Sequence, residues 1–351
     1  MSDFQPQWLA TMTGSLPVVD PEEAWGLVLQ HFPEIPAWPQ LPRRAFLENM
    51  YVQYSERFPG ILLEDERIYV DRTQELDPAL ESLYVAYLEN DREHGGVSPE
   101  YAAALSMLLE GKVKFPRSPV ALKGQVTGPV SWGLTVVDQD RRPVLYDDVL
   151  GEAVAKHLRL KASWQECELC KLGAPTIIFV DEPYMTAYGS ALVPLEREQV
   201  SALLEEVFAG ISGLKGVHCC GNTDWSLLLS TSVDILNVDA YEYADALLLY
   251  PEELGAFLER GGVIAWGIVP TGAHAGSESA PSLVRRLEGI LDRFAAKGVP
   301  RDDLLRAGMV TPSCGLGSVP ADTAERVLSL TAEVSAEMRR RYVQSSETQE
   351  E

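Results

Sequence analysis

Apolar residues along this chain follow two rhythms. Short runs that are apolar almost throughout occur at Trp8–Thr13, Ile68–Val70, Val120–Val126, Thr176–Val180, Gly216–Cys219, Ile235–Val238, Val263–Ile268 and Ala307–Val310. Their length and their lack of polar alternation suit strands buried on both faces. Longer stretches with apolar positions at helical spacing lie among them: Leu145–Leu172, Arg197–Ser212, Pro251–Arg260, Ser282–Lys297 and Ala321–Tyr342. Buried strands separated by helices predict a parallel sheet covered on both sides. Eight such units predict fold class α/β with a single (β/α)8 TIM barrel; a doubly wound open sheet is the alternative.

The stretch from Val18 to Gly60 breaks this rhythm. Phe32-Pro33, Ile35-Pro36, Trp38-Pro39 and Leu41-Pro42 crowd proline and aromatics together, and proline disfavours both a central strand and a helix interior. It reads as an elaboration near the barrel mouth, and residues 71–118 as a helical insert after the second strand. The expected organisation is one domain over residues 1–343, with 18–118 as elaborations and 344–351 as a polar, disordered tail.

With 46% hydrophobic and 23% charged residues, the 351-residue chain has enough apolar material for a large core. Its net charge of −23 argues against nucleic acid and against anionic membrane surfaces. No run of about 18 apolar residues is present, and Met1-Ser2-Asp3-Phe4-Gln5-Pro6 lacks the features of a signal peptide. Together with an odd count of five cysteines, this predicts a cytoplasmic protein in a reducing compartment.

Polar residues follow the apolar runs in a consistent place: Thr13-Gly14-Ser15-Leu16-Pro17, Thr127-Gly128-Pro129, Asp181-Glu182-Pro183, His218-Cys219-Cys220-Gly221-Asn222, Asp239, and Thr311-Pro312-Ser313-Cys314-Gly315-Leu316-Gly317. In a barrel all of these surround one mouth, at the C-terminal ends of the strands. His218, Cys220 and the distant Cys314 are three donors of the kind zinc prefers, and soft ligands drawn from separate strand ends suit a catalytic site. A Cys-rich zinc holds a substrate thiol as thiolate at neutral pH. Asp239 is a candidate fourth ligand, with Glu242 as its competitor. Asp181 and Glu182 are candidates for binding a substrate ammonium, orienting a zinc ligand or accepting a proton; a capping role before Pro183 is the plainer reading. Cys167 and Cys170, in a helical pattern with no second knuckle nearby, read as structural. His31, His94, His157 and His274 show no partner spacing. There is no Walker or Rossmann fingerprint, which disfavours nucleotide and NAD chemistry.

These strand-end motifs resemble the catalytic, C-terminal half of cobalamin-independent methionine synthase and the related uroporphyrinogen-decarboxylase-like corrinoid methyltransferases. The resemblance spans most of the chain as scattered motifs, and His218-x-Cys220-Gly221-Asn222-Thr223 is similar to the methylcorrinoid:thiol branch. It implies a barrel whose zinc is held by His218, Cys220 and Cys314 with an acidic residue, here Asp239. It implies that Asp181 meets the ammonium of homocysteine and Gly14-Ser15 its carboxylate, with Glu48 as an upstream glutamate contact. The folate-dependent synthase is a two-barrel chain, whereas one barrel's worth of sequence is seen here. The implied donor is therefore a methylcorrinoid such as methylcobalamin, free or on a corrinoid protein as partner, with Ile35–Pro42 as a candidate wall for it. Expected alternatives are coenzyme M or another thiol as acceptor, methyltetrahydrofolate as donor, and a metal-free decarboxylase of the uroporphyrinogen type. The last needs basic residues to clamp carboxylates, for which the N-terminal stretch offers Arg43, Arg44 and Arg57.

Overall fold

The computed structural model describes residues 4–190 and 193–344. Most of the tail assigned to 344–351 lies outside the described residues. Nine strands are seen among the described residues: β1 (Ile61–Glu64), β2 (Arg67–Val70), β3 (Leu122–Thr127), β4 (Val137–Asp138), β5 (Thr176–Asp181), β6 (Leu214–Cys219), β7 (Ile235–Val238), β8 (Val263–Val269) and β9 (Gly308–Pro312). Six of them form a parallel sheet in the order β3-β5-β6-β7-β8-β9, and β1, β2 and β4 form a separate three-stranded sheet. Thirteen α-helices are described, with the predicted long ones at Asp148–Cys170, Arg197–Phe208, Pro251–Glu259, Ala280–Ala296 and Ala321–Tyr342. Among the described residues no helix is long and apolar enough to cross a membrane.

Sequence order equals spatial order in the six-stranded sheet, with helices in the connections between its neighbouring parallel strands. The apolar residues divide by the period of two. Leu9, Ile177, Phe179, Ile235, Ala265 and Met309 pack together on one face, while Val180, Val217, Leu236 and Val310 pack with the helices on the other.

Two expected strands behave differently from the periodicity. Ile68–Val70 does form a strand, but it pairs antiparallel with β1 and parallel with β4, outside the main sheet. Trp8–Thr13 forms no continuous strand and touches β9 through an isolated parallel bridge, Ala10 to Val310. Gln7 and Trp8 have φ of 44° and 58°, which bends the chain away from a regular ladder. Backbone hydrogen bonds still bind it there: Trp8 N donates to Gly308 O at 2.8 Å, Thr11 N to Val310 O at 3.1 Å and Val310 N to Leu9 O at 3.0 Å.

At the other edge, β3 is met by the proline-rich stretch that the sequence assigns to an elaboration. Lys123 N donates to Pro36 O at 3.0 Å and Trp38 N to Lys123 O at 3.2 Å. The same stretch reaches the N-terminal segment, with Gln40 N donating to Gly14 O at 3.0 Å and Leu16 N to Gln40 O at 2.9 Å. Proline is tolerated because Trp38 and Gln40 supply the ladder N–H groups, while Pro36 contributes only its carbonyl. The predicted insert contains the helices Asp77–Glu89 and Ala103–Leu109, and Pro21–His31 adds one inside the stretch read as irregular.

Gln165, on the long helix Asp148–Cys170, is the buried clamp of this seam. Its Oε1 accepts from Trp38 Nε1 at 2.8 Å and Gln125 N at 2.9 Å, and its Nε2 donates to Gln125 O at 2.9 Å. Replacing it by Leu strands two buried donors, Trp38 Nε1 and Gln125 N, each worth about 1–3 kcal/mol, while Gln125 O keeps the Tyr54 hydroxyl as its donor. Gln165→Leu is therefore expected to lose about 2 kcal/mol or more in urea unfolding at unchanged m value. A loss under about 1 kcal/mol would show that the seam does not depend on this residue.

Candidate metal and thiol site

The parallel strands deliver their C-terminal ends to one edge. On β6 the period of two sends Gly216 and His218 to the inner face and Val217 and Cys219 outward. The inner assignment is visible at Gly216, where a Cβ would lie 2.6 Å from the Phe179 ring. Cys219, fully buried, donates its thiol to Gly221 O at 3.6 Å, and burial pushes that thiol up to about 12. It is a packing residue. Cys220 is the first residue past the strand and turns back toward His218.

Cys314 follows β9 in a loop pinned to the N-terminal segment. Ser313 N donates to Val269 O at 2.9 Å and Leu316 N to Ser15 O at 3.0 Å. Gly317 N donates to Ser15 Oγ at 3.1 Å. A Cβ on Gly315 would lie 2.5 Å from Ser15 Oγ, so the Cys-Gly-Leu-Gly sequence is set by close approach. The result is one cluster in which ligand atoms of His218, Cys220 and Cys314 all lie within 4.8 Å of one another.

The electrostatics of the cluster are those of one shared charge. The Cys314 thiol donates to Cys220, and with His218 it holds the Cys220 thiol down to about 4 against burial. Cys314 is driven upward by the same hydrogen bond and by its own burial. Burial works against a charged His218, yet Cys220 and then Asp181 raise it on balance. Neither ring nitrogen of His218 has a hydrogen-bond partner of good geometry, although both are buried. An orphaned imidazole beside a thiolate and a thiol is a donor set that fits a zinc ion.

The cluster forms the floor of a cavity of about 560 Å³, whose walls include Thr13, Ser15, Gln40, Glu48 and Asp181. Asp181 ends β5 in register with His218. Its Oδ1 is buried with no partner, and burial raises the carboxyl to about 6, opposed by Lys123 and His218. Lys123 lies within the same interior, donating to Thr13 O at 2.6 Å and Gln125 Oε1 at 3.3 Å, with its ammonium 4.6 Å from the Phe179 ring centre. Burial brings its pKa down to about 8.

The other sequence candidates separate. Ser15 lines the cavity, but its hydroxyl is engaged by Gly317 N. Gly14 has extended backbone, and a Cβ there would lie 2.8 Å from Gln40 Oε1. Glu48 also lines the cavity, but its carboxylate accepts from Leu41 N at 3.1 Å and pairs with Arg44 at 2.7 Å; burial raises it against that pairing. Glu182 points away from the cavity, as the residue after Asp181 on a strand must. It accepts from Val130 N at 2.9 Å, Ser131 N at 2.8 Å and Ser131 Oγ at 2.5 Å, which caps the helix Pro129–Thr135. Asp239 lies outside the three-residue cluster and caps the helix Ala240–Leu247, accepting from Glu242 N at 3.0 Å. Glu242 is exposed. Trp38, placed by its sequence in a donor wall, is buried and bonded to Gln165. Cys167 and Cys170 line a larger cleft, of about 1170 Å³, which also takes in Thr176 and Leu214 from the N-terminal ends of β5 and β6. Thr13 lines the cavity as its strand-end motif implied, whereas sequence reasoning missed Gln40 and Lys123; single polar residues within apolar or proline-rich stretches carry no motif.

No protein-family model matches this chain, and no curated protein matches it either. Among solved structures, a methyltransferase from Methanosarcina mazei is similar, with a TM-score of 0.54 at 14% identity, covering 96% of this chain and 95% of that one. At that identity the likeness speaks to the fold.

The shared-proton arrangement has a spectroscopic consequence in metal-free protein. One thiolate is expected at neutral pH, with its ultraviolet absorbance lost only as pH falls to about 4. Cys220→Ser should abolish the signal, and Cys314→Ala, by removing the donating thiol, should move its loss to higher pH. A signal that appears only above about pH 8, as for an ordinary thiol, would contradict the pairing.

Proposed function

We propose that the chain is a zinc-dependent methyltransferase that moves a methyl group from a methylcorrinoid to the thiol of homocysteine, giving methionine. The observation that carries this reading is the convergence of His218, Cys220 and Cys314 donors within 4.8 Å on the cavity floor. The fold likeness to the Methanosarcina mazei methyltransferase supports methyl transfer as the reaction class. The same reading takes the six-stranded sheet as closed into a (β/α)8 barrel, with segments 8–16 and 36–40 as the two irregular staves. The bonds from β9 to Leu9, from β3 to Pro36 and from Gln40 to Gly14 support that closure.

His218, Cys220 and Cys314 would hold the zinc. Bound there, zinc would keep the acceptor sulfur as a nucleophilic thiolate at neutral pH. The protein's own residues do the rest. Cys220, already anionic in the pair, needs to shed no proton to act as a ligand. Asp181 presents a buried, unpartnered carboxylate oxygen that can bind the acceptor's ammonium. A methylcorrinoid donor would supply the electrophilic methyl carbon; the acceptor sulfur held at this floor would take it, and the electron pair of the broken carbon–cobalt bond would leave with the corrinoid. Coenzyme M fits this wall less well, because its sulfonate would face Asp181 and Glu48.

A uroporphyrinogen-type decarboxylase needs a cation cluster, and the side chains disfavour it. Arg44 is taken by Glu48, and Arg57 donates to Glu93 O and His94 O. Arg43 lines the cavity but is spent on Gly317 O, Ser318 O and Val319 O.

The test is anaerobic mixing of methylcob(III)alamin with zinc-loaded protein and homocysteine, followed in the visible spectrum. Conversion to cob(I)alamin, with methionine formed in equal amount and both lost in Cys314→Ser, is expected. No conversion with free or protein-borne methylcorrinoid would overturn the reading.

A further inference from the structure

The polar groups on the cavity wall have a donor–acceptor balance that the reaction alone does not explain. Gln40 is the clearest case. Its side chain is buried in the seam between the N-terminal segment and the proline-rich stretch. Gln53 Nε2 donates to Tyr101 O at 2.6 Å, which leaves Gln53 Oε1 as an acceptor. Tyr54 OH donates to Gln125 O at 2.5 Å, which leaves its oxygen as an acceptor too. Both acceptors face the Gln40 amide, at 2.7 and 3.4 Å, so that end must be Nε2. The orientation of the amide is therefore fixed by the network and not by choice of rotamer.

It follows that Gln40 Oε1 points the other way, beside Gly14, where a Cβ would come within 2.8 Å of it. The hydrogen bonds of the Gln40 side chain all run through its Nε2, and the residue lines the cavity. Two other wall groups, Thr13 Oγ1 and Asp181 Oδ1, are buried without a hydrogen-bond partner. Buried acceptors are rarely left unsatisfied, so such a set marks where a ligand brings donors. A primary ammonium offers three N–H donors and a positive charge, and the wall offers one anionic and two neutral oxygens.

Resting on the thiol-acceptor reading above, we propose that Gln40 is a specificity-determining residue, whose Oε1 joins Asp181 and Thr13 in receiving the ammonium of an amino-acid thiol. The site thereby rejects thiols of the same length that lack the amine, because they would leave its buried acceptors unpaired. Gln53 is the positioning residue that keeps the Gln40 oxygen facing the cavity.

Titration calorimetry of zinc-loaded full-length protein tests this with two probes, homocysteine and its deamino analogue γ-mercaptobutyrate. Wild-type protein is expected to prefer homocysteine. Gln40→Met should weaken homocysteine binding about ten- to a hundredfold, the range for a hydrogen bond to a charged group, and change γ-mercaptobutyrate binding by less than about twofold. Gln53→Met, which leaves every cavity-lining residue in place, should reduce the preference in the same direction. Both variants are compared at temperatures where circular dichroism shows them folded. Equal losses for the two thiols, or none, would overturn the role of Gln40 while leaving homocysteine as the acceptor. Failure of wild-type protein to bind either thiol would overturn the acceptor reading and this inference together.

Discussion

Three soft donor atoms crowded on a buried floor are unfavourable unless something positive sits among them. Burial penalises the thiolate and the imidazolium alike, and an unpaired buried polar atom costs about 1–3 kcal/mol. Here the cost is contained by one proton shared between Cys220 and Cys314 and by His218 alongside. A divalent cation would satisfy all three donors at once. Much of the surrounding architecture can be understood as holding that arrangement in place against its own repulsion and desolvation.

The holding is done by elements far apart in sequence. β6 brings His218 by strand alternation and Cys220 by the turn that follows, while Cys314 arrives on a loop tied to Ser15 by two backbone N–H groups. The N-terminal segment is in turn fixed to β9 and to the 36–40 stretch, which Gln165 clamps from the long helix. A slip of one residue in the register of β6 would exchange the faces of His218 and Cys219. The interior cation Lys123 and the capping carboxylate Glu182 stiffen the same end of the sheet without facing the acceptor. The site is therefore placed by rigid elements, and its wall composition is left free to select the ligand.

Legibility from sequence followed the physics of each element. β5 to β9 were readable because strands buried on both faces leave continuous apolar runs, and the meeting of His218, Cys220 and Cys314 was readable because few residue types combine as such donors. The edges of the sheet were not readable. The Ala37–Gln40 pairing hides in prolines whose missing N–H groups happen to fall where no ladder bond is needed. Ile68–Val70 looks like a sheet strand but pairs in the small outer sheet, since three apolar residues do not specify a partner. Adjacent carboxylates misled in a similar way. Asp181 and Glu182 share a sequence motif, yet a strand sends them to opposite faces, and Asp239 is drawn to a helix N-terminus. Gln40 was invisible because its significance lies in the orientation of a hydrogen-bond network, which no local pattern encodes.

The central claim is that His218, Cys220 and Cys314 form one metal centre with room for a substrate sulfur. X-ray absorption at the zinc edge measures this directly, by counting the atoms bonded to zinc in loaded protein with and without homocysteine. The account predicts two sulfur scatterers from the protein and one imidazole, rising to three sulfurs when homocysteine is added. A sulfur count unchanged by homocysteine, or zinc lacking either cysteine, would contradict it.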